Sequence, residues 1–145
     1  MDALISLTGN AGSDVEVFEG DDWCYARFRL ACTPRFIRNG EWVDGETTWI
    51  TVRASNRTAV NVKNSIRKGD PVVVVGKLRT QAWTNAEGVR LERLLVEATS
   101  IGHDLSRGTS TFHRNEQRRP EEPPTEAPPG EGPPPEDRQV GEQAA

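Results

Sequence analysis

Cysteine, histidine and lysine are scarce in this 145-residue chain, and no long apolar run interrupts it. Its two cysteines, Cys24 and Cys32, stand eight residues apart on one candidate strand. At about 3.3 Å per residue their Cα atoms would lie roughly 26 Å apart, whereas a disulfide spans less than about 7 Å. Two small buried thiols are therefore expected, the alternative being a bridge between subunits. The two histidines, His103 and His113, are ten residues apart, and neither pairs with a cysteine at ligand spacing. No metal and no cofactor is expected. The glycine in "VVVVGKLRT" lacks the G-x-x-x-x-G-K-S/T spacing of a phosphate-cradling loop. No G-x-S-x-G motif or paired-carboxylate site stands out either, so the usual catalytic arrangements are excluded and no enzyme is expected. The apolar runs are too short to span a bilayer, which argues against a membrane partner. The start, "MDALISLTGNAG", has an acid at position 2 and no basic segment of the kind that opens a signal peptide. A cytoplasmic protein is expected.

Apolar residues are also few, at 34%, which is low for a chain that is globular throughout. The deficit has an address. "RRPEEPPTEAPPGEGPPPEDRQVGEQAA" holds eight of the ten prolines and no aromatic residue. Such a segment buries too little apolar surface to offset its ordering entropy. Residues 113–145 are therefore expected to be a disordered tail, behind a folded domain over residues 1–112. Charge divides the same way. Residues 1–119 carry seventeen basic and fifteen acidic side chains, a net of +2, and residues 120–145 one and seven, a net of −6. The overall −4 thus hides a mildly basic domain.

Within the domain the hydrophobic period is mostly two. "ALISLTG" (3–9) alternates, and "CYARFRLAC" (24–32) puts Ala26, Phe28 and Leu30 on one face and Tyr25, Arg27 and Arg29 on the other. "TTWITVRA" (47–54) sets Ile50, Val52 and Ala54 against Trp49, Thr51 and Arg53. "PVVVVGKLRT" (71–80) opens on a proline and contains Gly76, a candidate bulge. "VRLERLLVEATSI" (89–101) is the fifth strand. Between the third and fourth, "SNRTAVNVKNSIRKGD" shows a Ser or Asn N-cap, apolar Ala59, Val62 and Ile66 at helical spacing, and Gly69 as a C-cap. Five strands with a helix between the third and fourth is the element order of a mainly β OB-fold barrel, although a split α+β sheet gives a similar string.

A barrel needs only one inward face, so Arg27, Arg29, Trp49 and Arg53 are left on its outside. The connection 33–46 adds Arg35, Phe36, Arg38 and Trp42 around "NG" and "DG" turn signals. The hairpin "KLRTQAWTNAEG" adds Lys77, Arg79 and Trp83 near a loop tip. Aromatic rings interleaved with cations suit single-stranded nucleic acid, whose unstacked bases offer π-faces and whose phosphates offer charge. No array of donors and acceptors for reading base edges is visible. Trp23 and Trp42 fit a satellite apolar cluster as well as a base platform.

The stretches "GNAGSDVEV", "ARFRLA", "RNGEWVDGETTWITV", "KGDPVVVVGKLRTQAW" and "IGHDLSRGT", in this order, resemble the bacterial single-stranded DNA-binding protein family over about residues 3–110. The resemblance implies an OB-fold homotetramer, nucleoid-associated and serving DNA replication, repair and recombination, with strand 1 making dimer contacts. It implies base stacking by Phe36, Trp49 and Trp83. A fourth aromatic of the family falls near Ser55, so that platform is lost here. The ending "EDRQVGEQAA" lacks the acidic, aromatic tip through which the family's main members dock replication and repair proteins. The chain resembles the shorter paralogue without that tip, and tip-dependent partners are not expected. A protein–protein adaptor on the same fold, or an RNA-binding module, would also use exposed aromatics and arginines.

A polyanion tethered beside a basic groove competes with phosphates for it, most strongly at low salt. Deletion of residues 120–145 should therefore leave affinity for oligo-dT unchanged or slightly raised at low salt, as titration of full-length and truncated chains would report. A severalfold loss at both low and high salt would make the tail a contributor to binding.

Overall fold

The computed structural model describes residues 1–116. The expected tail over 113–145 lies almost wholly outside them. Residues Met1–Thr111 form one compact unit, and beyond it only residues 112–116 are described.

Eight strands and one helix make up the first unit: β1 (Ala3–Ala11), β2 (Glu16–Glu19), β3 (Cys24–Cys32), β4 (Arg35–Arg38), β5 (Glu41–Asp44), β6 (Thr48–Ser55), α1 (Asn56–Ser65), β7 (Pro71–Thr84) and β8 (Arg90–His103). The five expected strands are β1, β3, β6, β7 and β8. They run in the order β1-β7-β8-β6-β3, and β3 pairs back to β1 through Asn10–Ala31 and Ala11–Leu30, which closes the barrel. Every neighbouring pair in the ring is antiparallel except β6 and β8. This is an OB-fold barrel.

Alternation produces the core. Ala26, Phe28 and Leu30 of β3 point inward to meet Val52 and Ala54 of β6, Val72 and Val74 of β7, and Val96 of β8. Ala59 and Val62 of α1, with Ile66 just beyond it, join the same cluster. Gly76 marks the register shift in β7, as the sequence leads one to expect. A Cβ there would collide with the Glu97 carbonyl of β8, so only glycine lets the two backbones approach. Cys24 and Cys32 are free, half-buried thiols at opposite ends of β3, and desolvation pushes the Cys32 thiol above its ordinary range.

Two expectations need correction, and the turn signal at Asn39-Gly40 proves to close a hairpin. In the connection 33–46, β4 and β5 pair around Asn39-Gly40, whose φ values of 52° and 80° suit a type I′ turn. Lys77, Arg79 and Trp83 do not cluster at a loop tip, because β7 and β8 stay paired out to Thr84–Arg90 and carry all three on a strand. Gly69 is not the helix C-cap. Ile66 leaves the helix first, with extended backbone, because its side chain is drawn into the core. Gly69, at φ 94°, sits in the following turn and donates its N–H to the Ala11 carbonyl at 2.7 Å.

Candidate nucleic-acid interface

Strand pairing sets the outer face of β3, β6, β8 and β7 into rows. Arg29, Thr51, Leu95 and Arg79 lie side by side across the four strands, and so do Arg27, Arg53, Glu97 and Lys77. Two residues further along come Trp49 on β6, opposite Ala31, and Arg93 on β8, opposite Gln81; beyond them Trp83 opposes Leu91. One continuous sheet face therefore holds Arg27, Arg29, Trp49, Arg53, Lys77, Arg79 and Trp83.

The rings stay open to solvent, Trp49 at 51% and Trp83 at 43% of their full exposure. Trp49 can lie down because its six-membered ring covers Gly12, where any Cβ would collide with it. Each ring has a guanidinium beside it. Arg29 stands 6.0 Å from the Trp49 ring and Arg93 5.6 Å from the Trp83 ring. Arg29 Nη1 donates to Thr51 Oγ1 at 3.0 Å, which satisfies a buried hydroxyl on the outer side of the barrel. Arg93 Nε donates to Gln81 Oε1 at 2.7 Å.

The other cations on this face already have anions. Glu97 takes Arg53 Nη2 on Oε1 at 2.7 Å and Arg79 Nε on Oε2 at 3.2 Å. Asp2 takes Arg79 Nη1 at 2.9 Å and Lys77 Nζ at 3.1 Å. Arg27 Nη2 meets Glu16 Oε2 at 2.7 Å. The Arg79 and Arg53 hydrogen bonds hold the Glu97 carboxyl below its ordinary value, and those of Lys77 and Arg79 do the same for Asp2. Arg53 Nε is buried without a hydrogen-bond partner.

The hairpin separates the remaining candidates. Phe36 pairs with Val43 and Ile37 with Trp42, so Phe36 and Trp42 occupy opposite faces. Arg38 lies 5.6 Å from the Phe36 ring. Arg35 lies 5.9 Å from the Trp42 ring and pairs with Asp44 at 3.0 Å. The two rings are thus presented on different sides of the hairpin.

Trp23 belongs to a satellite cluster. It stacks on Tyr25 at 5.7 Å, Tyr25 stacks on Phe18 at 5.0 Å, and Arg53 and Arg27 cover the Tyr25 and Phe18 rings. Glu19, Asp21 and Asp22 line the hollow beside Trp23, a poor setting for a phosphate. Arg93, absent from the sequence-based candidates, is the main addition. Its stretch "RLERLLVE" puts leucines on both faces, so no parity could be read there.

The family model described as "Single-strand binding protein family" matches residues 3–104. The chain belongs to that family. It is 40% identical over 122 residues to single-stranded DNA-binding protein 2 of Streptomyces avermitilis, covering 78% of this chain and 72% of that one. It is 34% identical over 108 residues to the single-stranded DNA-binding protein of Corynebacterium glutamicum, covering 72% and 48%. A crystal structure of a small single-stranded DNA-binding protein from Streptomyces coelicolor superposes with a TM-score of 0.66 at 35% identity, over 74% of this chain and 99% of that one. The similarity to a small member agrees with the resemblance to the shorter paralogue.

The carboxylates of this single-strand binding barrel give it a defined acid limb. Folded-state values below the ordinary 4.5 of Glu97 and 3.8 of Asp2 mean that their contribution is complete above those values. It is lost as pH falls through the lowered ones. Urea midpoints should hold from neutral pH down to that range and then fall. Glu97→Gln should lower the midpoint at neutral pH and flatten the acid decline; identical acid slopes in both proteins would contradict the pairing.

Proposed function

We propose that the chain binds single-stranded DNA with little sequence preference, bases stacking on Trp49, Trp83 and Phe36 and phosphates meeting guanidiniums beside those rings, Arg29 and Arg38 among them. The observation that carries this reading is the pair of half-exposed tryptophans, each beside a guanidinium, on one face of the barrel. A ring offers its face to any base and a guanidinium meets any phosphate, so sequence matters little. Family membership supports the same reading, since the relatives above carry single-stranded DNA binding in their names. The protein would act in the nucleoid, where replication, repair and recombination expose single strands.

We further propose a homotetramer. β1 pairs with β7 along Ala3–Asn10, yet it meets β3 only at Asn10 and Ala11, so the other edge of residues 3–9 has no strand partner among the described residues. An open edge of that length is a template for an antiparallel copy of itself across a two-fold axis. Two such dimers would form the tetramer.

Trp49→Ala and Trp83→Ala should each cost about 1–3 kcal/mol of oligo-dT affinity by fluorescence anisotropy; full affinity in both variants would remove the stacking role. Light scattering at micromolar concentration should give four times the chain mass, and a monomer mass would refute the assembly.

A further inference from the structure

The outer face is basic by residue count but not by free charge. Arg27, Arg53, Lys77 and Arg79 each lie within 3.2 Å of a carboxylate oxygen from Glu16, Glu97 or Asp2. A phosphate reaching any of them must displace an anion that is already hydrogen-bonded, so it gains little charge neutralisation. Arg29 and Arg93 differ. Their side-chain partners are neutral, the Thr51 hydroxyl and the Gln81 amide, and neither has an acidic partner among the described residues. Both line one cleft of about 290 Å³, together with the Ser13 and Thr51 hydroxyls and the Arg27–Glu16 pair. The Ser13 hydroxyl accepts the Arg29 backbone N–H at 2.9 Å, which fixes the cleft wall. Neither ring lines the cleft, but each of its two arginines stands beside one, Arg29 by Trp49 and Arg93 by Trp83.

Resting on the DNA-binding reading, we propose that Arg93 and Arg29 form the phosphodiester clamp of this face, seating the backbone between the bases stacked on Trp49 and Trp83. Glu97, Asp2 and Glu16 keep the remaining cations out of the contact. The guanidinium of Arg93 is suited to the task because its planar fork offers further N–H donors once Nε is engaged by Gln81. Gln81 acts as a positioning residue: it aims the fork across the strand.

Salt dependence of oligo-dT binding separates this arrangement from one in which all basic residues share the contact. Each phosphate neutralised on a single strand contributes about 0.7 to the slope of log affinity against log salt. Arg93→Gln should make the slope shallower by about that amount and weaken binding roughly tenfold at low salt. Arg53→Gln should leave slope and affinity at their wild-type values. Arg93→Lys keeps the charge but not the fork, and should keep the slope while losing part of the affinity. Arg93 is exposed, so melting temperatures should not move; if the Gln variant melts early, the Lys variant decides, and wild-type affinity there overturns the clamp. Wild-type binding with an unchanged slope in Arg93→Gln, or a loss in Arg53→Gln equal to that in Arg93→Gln, also overturns it and leaves DNA binding standing. A wild-type chain without affinity for oligo-dT would instead refute the DNA-binding reading itself.

Discussion

A closed five-stranded barrel has one interior, and each strand can give it only one of its two faces. Everything else in this protein follows from that constraint. β3 spends Ala26, Phe28 and Leu30 on the core, so Arg27 and Arg29 stand outside; β6 spends Val52 and Ala54, so Trp49 and Arg53 stand outside. Closure through β1 and β3 removes the choice of turning these side chains inward. Burying an unpaired guanidinium would cost far more than leaving it in water. The aromatic and basic face is thus the complement of the core, and the same alternation that stabilises the barrel displays the residues that could hold a ligand.

Charge then divides that face. On the side of β1, Asp2 and Glu97 knit Lys77, Arg79 and Arg53 into one chain of ion pairs. Exposed pairs of this kind contribute little singly, and a network with shared partners does better because one ordered side chain serves two bonds. Arg27 is paired with Glu16 beside the same cleft, whereas Arg29 on β3 and Arg93 on β8 have only neutral side-chain partners among the described residues.

Much of this was legible in the sequence. The alternation in "CYARFRLAC" gave the bounds and both faces of β3 without error, and Asn39-Gly40 and Gly76 marked the hairpin turn and the bulge. What stayed hidden depends on contacts distant along the chain. β2 is four residues long and exists by pairing with β3. Glu97 lies 44 residues from Arg53, and Asp2 further still from Lys77 and Arg79, so no local pattern announces those pairs. Arg93 escaped because Leu95 is buried on the outer face while Leu94 is exposed, the reverse of what a plain alternation from the core would give. Trp23 shows the converse limit: an exposed tryptophan beside a basic face stacks on Tyr25 and is surrounded by acids.

Intrinsic tryptophan emission titrated with oligo-dT tests the central claim, because its rings are themselves the proposed platforms. The account predicts strong quenching on saturation, cut back in Trp49→Phe and in Trp83→Phe and retained in Trp23→Phe. Emission unchanged by oligo-dT, or quenching carried by Trp23 alone, would contradict it.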